Sequence, residues 1–531
     1  MPCGLGWVLE STRPDFNAKI PKCRSCGITL QCENKKGPGY YIKQAGSAVA
    51  KNYKKELDSV YELVLQGLSE EDKKLLGYGA DASRKERVLP EAKAEKKNSA
   101  LECLRCRQAK FQSKFESNEF PIEPAAQIME KVPPWANIVY VVSAQDFPLL
   151  LNKKVFEFHP AKQIQFVFTK ADLLFPHNKA AQEKGLSFFQ DYMERTYKVP
   201  REQVFVVSGH VNWGISNLLE HLKDDSFLIG SVNSGKSTLL QSLVYIVHLL
   251  KSKAPNARKE RELQKIEDRL GPAARTRQRI KDLAEFKAKH GPGVSFMPGF
   301  TRNVIPFELS ASKTVFDVPG FGSTETDNLH EILSPAAMKQ LLKGVKFHKY
   351  GAYDSHYDTV KEGQTLTVGG LFFLTVPPQS MYRVRNMINH PIHVFRDHDK
   401  AVDSWKNAAD RPAIQDVFLT DSSRTELVRY EIPLFVGSFE LVLKSLGFIT
   451  ITATGALPET MSPAVIYLPR QISASVREPI GKYITKTLTG RDKNGNPLKK
   501  ENWARLSTKE VRRYVGHEPF CRDLIWNEKY G

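Results

Sequence analysis

The segment Gly230-Ser231-Val232-Asn233-Ser234-Gly235-Lys236-Ser237 constrains this chain more than any other. It satisfies G-x-x-x-x-G-K-[ST] at every position. A short apolar run, Phe227 to Ile229, precedes it, and an amphipathic run reaching Leu250 follows. That strand–loop–helix setting is what the motif requires. Its glycines let backbone N–H groups wrap phosphate oxygens, and the helix N-terminus adds partial positive charge. Lys236 is spaced to reach β and γ phosphates, the Ser237 hydroxyl to ligate Mg²⁺, and Gly230, Asn233, Ser234, Gly235 and Thr238 complete the expected phosphate-binding set.

Two further strand ends carry chemistry. Val315-Phe316-Asp317-Val318-Pro319-Gly320 places Asp317 to hold Mg²⁺ through water and Gly320 to sense the terminal phosphate. The same Asp-x-Pro-Gly sequence also suits an ordinary turn. Phe166-Val167-Phe168-Thr169-Lys170-Ala171-Asp172 fits [NT]-K-x-D, the pattern with which many GTPases read the base. Guanine offers N1–H and N2–H₂ donors that one carboxylate, Asp172, can accept, and a site built for that pairing rejects adenine. The Lys170 stem would lie over the purine face; the competing reading is a charged strand end. A weaker element, Val204 to Gly209, brings backbone near Ser208 towards the guanine oxygen.

Four of seven cysteines form two C-x-x-C pairs, Cys23/Cys26 and Cys103/Cys106. Each pair can present both sulfurs to one point, and two pairs complete a tetrahedral thiolate site for structural Zn²⁺. The 76 intervening residues exceed the usual gap, and unrelated pairs or a redox dithiol are the alternatives. Lys and Arg total 77 against 59 Asp and Glu, a net charge of +18. Such an excess predicts a polyanionic partner: nucleic acid, an anionic membrane or a ribonucleoprotein. No run of about 18 uncharged apolar residues occurs, so no membrane-spanning helix is expected.

The base-reading motif precedes the phosphate loop, which precedes Asp317-x-x-Gly320; in ordinary small GTPases the phosphate loop comes first. Permutation alters connections and not packing, so one parallel sheet with helices on both faces remains the expectation. The ends of such a domain fall beside the switch after Gly320, so the C-terminal region is expected to report nucleotide state.

On these motifs, from about Pro21 to Ile484, the chain resembles the circularly permuted GTPases of the YqeH type. The cysteine pairs, Gly363-Gln364-Thr365-Leu366 and Gly369-Gly370-Leu371 take part in the likeness. Pro38-Gly39-Tyr40-Tyr41 and Arg477-Glu478-Pro479 look like segments of a fungal mitochondrial branch named for a genetic interaction with prohibitins. The resemblance implies an α/β fold: a circularly permuted P-loop GTPase domain flanked by a zinc-binding module and a mostly β, RNA-binding-like domain. It implies GTP/GDP and Mg²⁺ as ligands and slow GTP hydrolysis. It implies a role in assembling the mitochondrial small ribosomal subunit, with its ribosomal RNA and ribosomal proteins as partners and the mitochondrial matrix as location. A nucleotide-liganded RNA-binding scaffold without turnover is the alternative. Asn233 occupies a position that can coordinate K⁺ in relatives. Phe321 stands where Ras-like proteins keep a catalytic glutamine, and Thr301 looks like the Mg²⁺-ligating switch threonine. Thr169 replaces the commoner Asn and is expected to lose a tie between base and phosphate loop.

The expected organisation is a leader (1–20), a zinc module (21–118), the GTPase domain (119–344), a β-rich domain (345–480) and a basic tail (481–531). The leader is a poor match to an Arg-rich, acid-poor presequence. Residues 43–102 read as a solvated helical excursion. An insertion at 251–290 holds 13 Lys/Arg and 6 acids, reading as a solvated helical hairpin or an RNA-contacting arm. Tyr382-Arg383-Val384-Arg385 interleaves aromatic and basic residues that could stack on bases while pairing phosphates, or be ordinary strand surface and core. From Lys482 to Arg513 there are 10 Lys/Arg and 3 acids, an RNA-following or plain solubilising tail.

Overall fold

The computed structural model describes residues 22–41 (except 24 and 36), 102–112, 122–252, 280–287, 301–322 (except 311–312), 329–345, 357–407, 417–419, 426–432, 438–454, 463–480 (except 478) and 521–523. The leader, the helical excursion, most of the basic insertion, Pro298 to Phe300 and the stretch 482–513 lie outside the described residues. Two compact units divide the chain: Met1–Arg24 with Ile28–Gln108, and Ser25–Gly27 with Ala109–Gly531.

In the first unit the backbone folds back just after Cys23, whose N–H donates to the Ile28 carbonyl (2.7 Å), bridging Lys22 to Thr29. At Gly39 (φ +82°) a Cβ would fall 2.1 Å from the Thr29 carbonyl oxygen, so this close strand approach admits only glycine. The second cysteine pair begins the helix Leu104–Gln112, whose first N–H donates to the Tyr40 carbonyl (2.6 Å).

The second unit contains a six-stranded sheet of β1 (Asn137–Ser143), β2 (Gln165–Thr169), β3 (Val204–Val206), β4 (Ser226–Ile229), β5 (Ile305–Glu308) and β6 (Thr314–Asp317). Their order is β3-β2-β1-β4-β6-β5. The first five strands in this order are parallel. β5 runs antiparallel to β6, so the sheet is mixed and not wholly parallel as expected. The cause is the short link between them: only 309–313 separate β5 from β6, a hairpin length that cannot make a parallel crossover.

Strand residues alternate between two cores, as a pleat with helices on both faces requires. Tyr140, Val142, Phe166, Phe168, Phe227 and Phe316 face one core, with Phe188, Phe189 and Tyr192 of the helix Leu186–Tyr197. Val139, Val141, Val167, Leu228 and Val315 face the other, with Leu239, Leu240 and Leu243 of the helix Lys236–Ser252. From β1 the chain runs outward to β2 and β3, then returns to build β4 and β6 on the opposite side. The point of reversal lies between β1 and β4, where α/β sheets place ligands at the carboxyl ends of their strands.

The remaining strands are β7 (Asp358–Lys361), β8 (Thr365–Val368), β9 (Phe373–Thr375), β10 (Met381–Asn386), β11 (Ile392–Phe395), β12 (Leu427–Ile432), β13 (Ser438–Leu443), β14 (Gly447–Thr454), β15 (Ala464–Pro469), β16 (Ala474–Arg477) and β17 (Cys521–Asp523). They make two antiparallel sheets, β17-β16-β13-β14-β10-β7 and β11-β8-β9-β15-β12. The mostly β texture expected after residue 345 is thus what folds. β17 adds a sheet strand inside the stretch read as a tail. In β10, Tyr382 is only 4% exposed, so it faces the core and cannot stack on a base. Arg383 points outward, its guanidinium 5.0 Å over the Tyr357 ring. Alternation along a strand separates neighbours that sit side by side in sequence. Among the described residues no helix is long and apolar enough to cross a membrane.

Candidate functional site

The loop after β4 is shaped by residues that tolerate left-handed or unusual backbone: Gly230 (φ +155°), Asn233 (φ +58°) and Gly235 (φ +93°). A Cβ at Gly230 would lie 2.3 Å from the Val141 carbonyl, so the loop presses against β1. Lys236 opens the helix with only 7% of its surface exposed. Its ammonium curls back to donate to the carbonyls of Gly230 (2.8 Å) and Ser231 (3.0 Å). The side chain therefore lies under the arch of the loop.

Asp317, at the end of β6, is fully buried and accepts from the Ser237 hydroxyl (3.0 Å). Burial pushes its carboxyl up to about 6, opposed by the Lys236 charge and by the Ser237 and Thr301 hydroxyls. Burial pulls Lys236 down to about 8, opposed by Asp317. Both charges are thus held out of water with incomplete compensation. Among the described residues, Asp317 Oδ1 and the buried Ser234 hydroxyl have no hydrogen-bond partner. A cationic ligand on Asp317 and an anionic one on Lys236 would satisfy what the protein leaves open. This donor set (a hydroxyl, a carboxylate and a second hydroxyl from Thr301) has the hard-oxygen character that suits Mg²⁺.

Gly320 packs against the loop: a Cβ there would lie 3.0 Å from Val232 Cα. Phe321 contributes backbone only. Its N–H donates to the Gly230 carbonyl (3.3 Å), and its carbonyl accepts from Val232 (3.0 Å). Its ring is buried against Tyr140, away from the loop's polar face.

The end of β2 reaches the same place. The Thr169 hydroxyl donates to the Ser234 carbonyl (2.5 Å) and lies 3.3 Å from that of Val142. The amide of the commoner Asn is absent, as the sequence shows, and the Thr169 hydroxyl reaches the loop in its place because Gly235 presents no side chain to it. Lys170 takes a left-handed conformation (φ +56°), and its ammonium lies 3.5 Å from Asp146 Oδ2. Asp172 Oδ1 accepts from the Ser208 hydroxyl (2.5 Å), so Ser208 orients the carboxylate through its side chain. Thr238 adjoins this end, its carbonyl 3.0 Å from where a Gly209 Cβ would sit. Segments 169–172, 230–238 and 317–320, together with Thr301 and Ser208, thus meet at one end of the sheet.

Two contributors carry no motif. Asp146 follows β1; its Oδ1 accepts from the Ser445 N–H (2.9 Å) while its Oδ2 faces Lys170. Arg477, at the end of β16, donates to Glu440 (2.7 Å) and to the carbonyls of Gln145 (2.9 Å) and Phe147 (2.6 Å). An apolar strand ending in a polar cluster, as in β1, is the one signal that could have found Asp146; Arg477 stands in the Arg477-Glu478-Pro479 likeness, which carries no hint of a role at this site.

The four cysteines of the two pairs form their own cluster. All are buried, and their sulfurs lie within 4.8 Å of one another. Tetrahedral zinc thiolates, with Zn–S of about 2.3 Å, need sulfurs about 3.8 Å apart, so small adjustments would close the site. Cys103 N–H also points at Cys23 Sγ (3.3 Å), a contact that favours a thiolate. The set can hold a metal ion and suits structural zinc. Cys32 is exposed and stands outside it.

Residues 22–120 match the family model described as Genetic interactor of prohibitins 3 N-terminal domain, and residues 355–526 match that of its C-terminal domain. Proteins named "Genetic interactor of prohibitins 3, mitochondrial" are similar along nearly the whole chain. The one from Clavispora lusitaniae is 44% identical, covering 96% of this chain and 84% of the relative. That from Debaryomyces hansenii is 41% identical over 95% and 86% respectively. That from Meyerozyma guilliermondii is 42% identical over 97% and 90%. With this identity over this coverage, the chain belongs to the mitochondrial Genetic interactor of prohibitins 3 family.

Proposed function

We propose that this protein is a circularly permuted P-loop GTPase that binds guanine nucleotides, hydrolyses GTP slowly and assists assembly of the mitochondrial small ribosomal subunit. The observation that carries the reading is the meeting of segments 169–172, 230–238 and 317–320 despite their shuffled order in the chain. Lys236 and the loop N–H groups stabilise phosphate charge. Asp172, held by Ser208, selects guanine through N1–H and N2–H₂, and the Lys170 stem covers the purine. Ser237, Asp317 and Thr301 would hold Mg²⁺, which supplies charge stabilisation on the phosphate oxygens. Asn233 is assigned to a potassium ion by the family resemblance. The cysteine cluster holds structural zinc.

Ribosomal RNA as partner rests on the net charge of +18 and on outward basic residues such as Arg383. The prohibitin link belongs to the relatives' name, and no contact surface is assigned to it. A second reading is favoured by the burial of Phe321: the position offers no side chain to orient water, as a nucleotide-liganded scaffold without turnover would allow.

Measured GTP turnover with small-subunit particles and potassium separates the two. The enzyme reading expects turnover that falls at least about 100-fold in Lys236→Ala, a loss of roughly 2.7 kcal/mol in the barrier. Absence of turnover, with function in cells retained by Lys236→Ala, would support the scaffold instead. Crosslinking to RNA in cells followed by sequencing tests the ribosomal part; recovery of no small-subunit RNA would refute it.

A further inference from the structure

The helix at 280–287 is the described end of the basic insertion, and it lies against the helix Lys236–Ser252. Leu283 is buried with Leu239, Leu240 and Leu243. The Phe286 ring sits 5.2 Å from Tyr245 and 4.9 Å from His248. This packing delivers Lys287 to the base end of the site. Its ammonium donates to the Gly209 carbonyl, which also accepts from Ser242 (2.8 Å). Gly209 follows Ser208, the residue that holds Asp172. Burial pulls the Lys287 ammonium down to about 8, opposed by the charge of Asp172. A cation and an anion therefore face one small volume beside Ser208 and Gly209.

That pairing matches one edge of one base. Guanine carries the N1–H and N2–H₂ donors next to an acceptor, the 6-oxo group. Adenine places an amine donor where that oxygen would be, and an ammonium repels it. We infer that Lys287 is a specificity-determining residue of the base site, its ammonium meeting the 6-oxo group while Asp172 takes the two donors. The inference rests on the guanine-nucleotide reading and adds a recognition element that lies outside the three motifs.

The test measures affinities of the full-length protein for GDP, ADP, inosine diphosphate and 2-aminopurine riboside diphosphate. The last keeps the N2 amine and lacks both the 6-oxo group and the N1–H donor. Wild type should bind GDP at least about tenfold tighter than the 2-aminopurine nucleotide. In Lys287→Met that ratio should fall several-fold, to the part that N1–H contributes at Asp172, while the ratio of GDP to inosine diphosphate, which reports the N2 amine and Asp172, stays as in wild type. Lys287→Arg should restore most of the 2-aminopurine discrimination. If Lys287→Met weakens every nucleotide equally and leaves the 2-aminopurine ratio intact, Lys287 is structural and the inference is overturned. Should Lys287→Met fail to fold, Lys287→Leu carries the same comparison. Wild type that binds GDP no better than ADP removes the guanine reading itself, an outcome distinct from a failure confined to the variants.

Discussion

At the scale of single residues the site is built from charges that the protein leaves partly uncompensated. Asp317 is raised to about 6 and Lys236 lowered to about 8. A raised carboxyl contributes stability below its unfolded value and loses it as pH rises through about 6. A lowered lysine contributes stability above its unfolded value and loses it as pH falls through about 8. Between about pH 6 and pH 8 both contributions are missing from the ligand-free protein. The double variant Asp317→Asn/Lys236→Met should therefore melt higher than wild type in that window. The excess should shrink as pH moves below about 6 or above about 8; thermal scans across pH check this. Thr169→Val removes the hydroxyl that joins β2 to the phosphate loop. It should cost about 1 kcal/mol of stability and weaken GDP binding about tenfold, read by denaturant midpoint and titration.

At the scale of elements, legibility followed locality. Each of β2, β4 and β6 is an apolar run ending in a motif, and each motif's chemistry is set within a few residues. The antiparallel turn of β5 was hidden because the pattern Ile305 to Glu308 reads the same in either direction, and only the short link to β6 decides it. For Tyr382-Arg383 the ordinary reading, strand core and surface, is the one the structure shows, because adjacency in a strand puts neighbours on opposite faces. No local pattern assigns Asp146, Arg477 or Lys287 to the site, since they join it through contacts made only when distant segments pack. The cysteine pairs were legible despite their long separation because C-x-x-C spacing is itself local. Cys106→Ser should abolish metal binding and unfold the backbone around the four cysteines, since structural zinc supplies on the order of 10 kcal/mol. Metal analysis of the purified variant, with zinc per chain near zero, is the expected result.

At the scale of the whole second unit, the β-rich region meets the six-stranded sheet at the loop that follows β1. The permuted order alone suggests contact at the phosphate end, after Gly320; the buried grip described here is Arg477 on the loop that follows β1. Arg477 is 2% exposed, pairs with Glu440 and occupies carbonyls more than 300 residues away in sequence. Burial pushes Glu440 up, opposed chiefly by Arg477. Arg477→Met should cost about 3–5 kcal/mol by stranding a buried carboxylate. Arg477→Met/Glu440→Leu should recover most of that loss, yet leave GDP binding weakened, because the 144–147 carbonyls remain without their donor. Denaturation midpoints and nucleotide titration on the same samples separate the two effects.

The Asp146 bridge has a kinetic consequence. One carboxylate is fastened to Ser445 on one side and to Lys170 on the other, so any partner that bends the turn before β14 also tugs on Lys170, which the proposed function lays over the purine. Under the proposed function, such a partner would speed the departure of spent nucleotide without touching the phosphates, and GTP, by thermodynamic reciprocity, would alter that partner's own grip to the same degree.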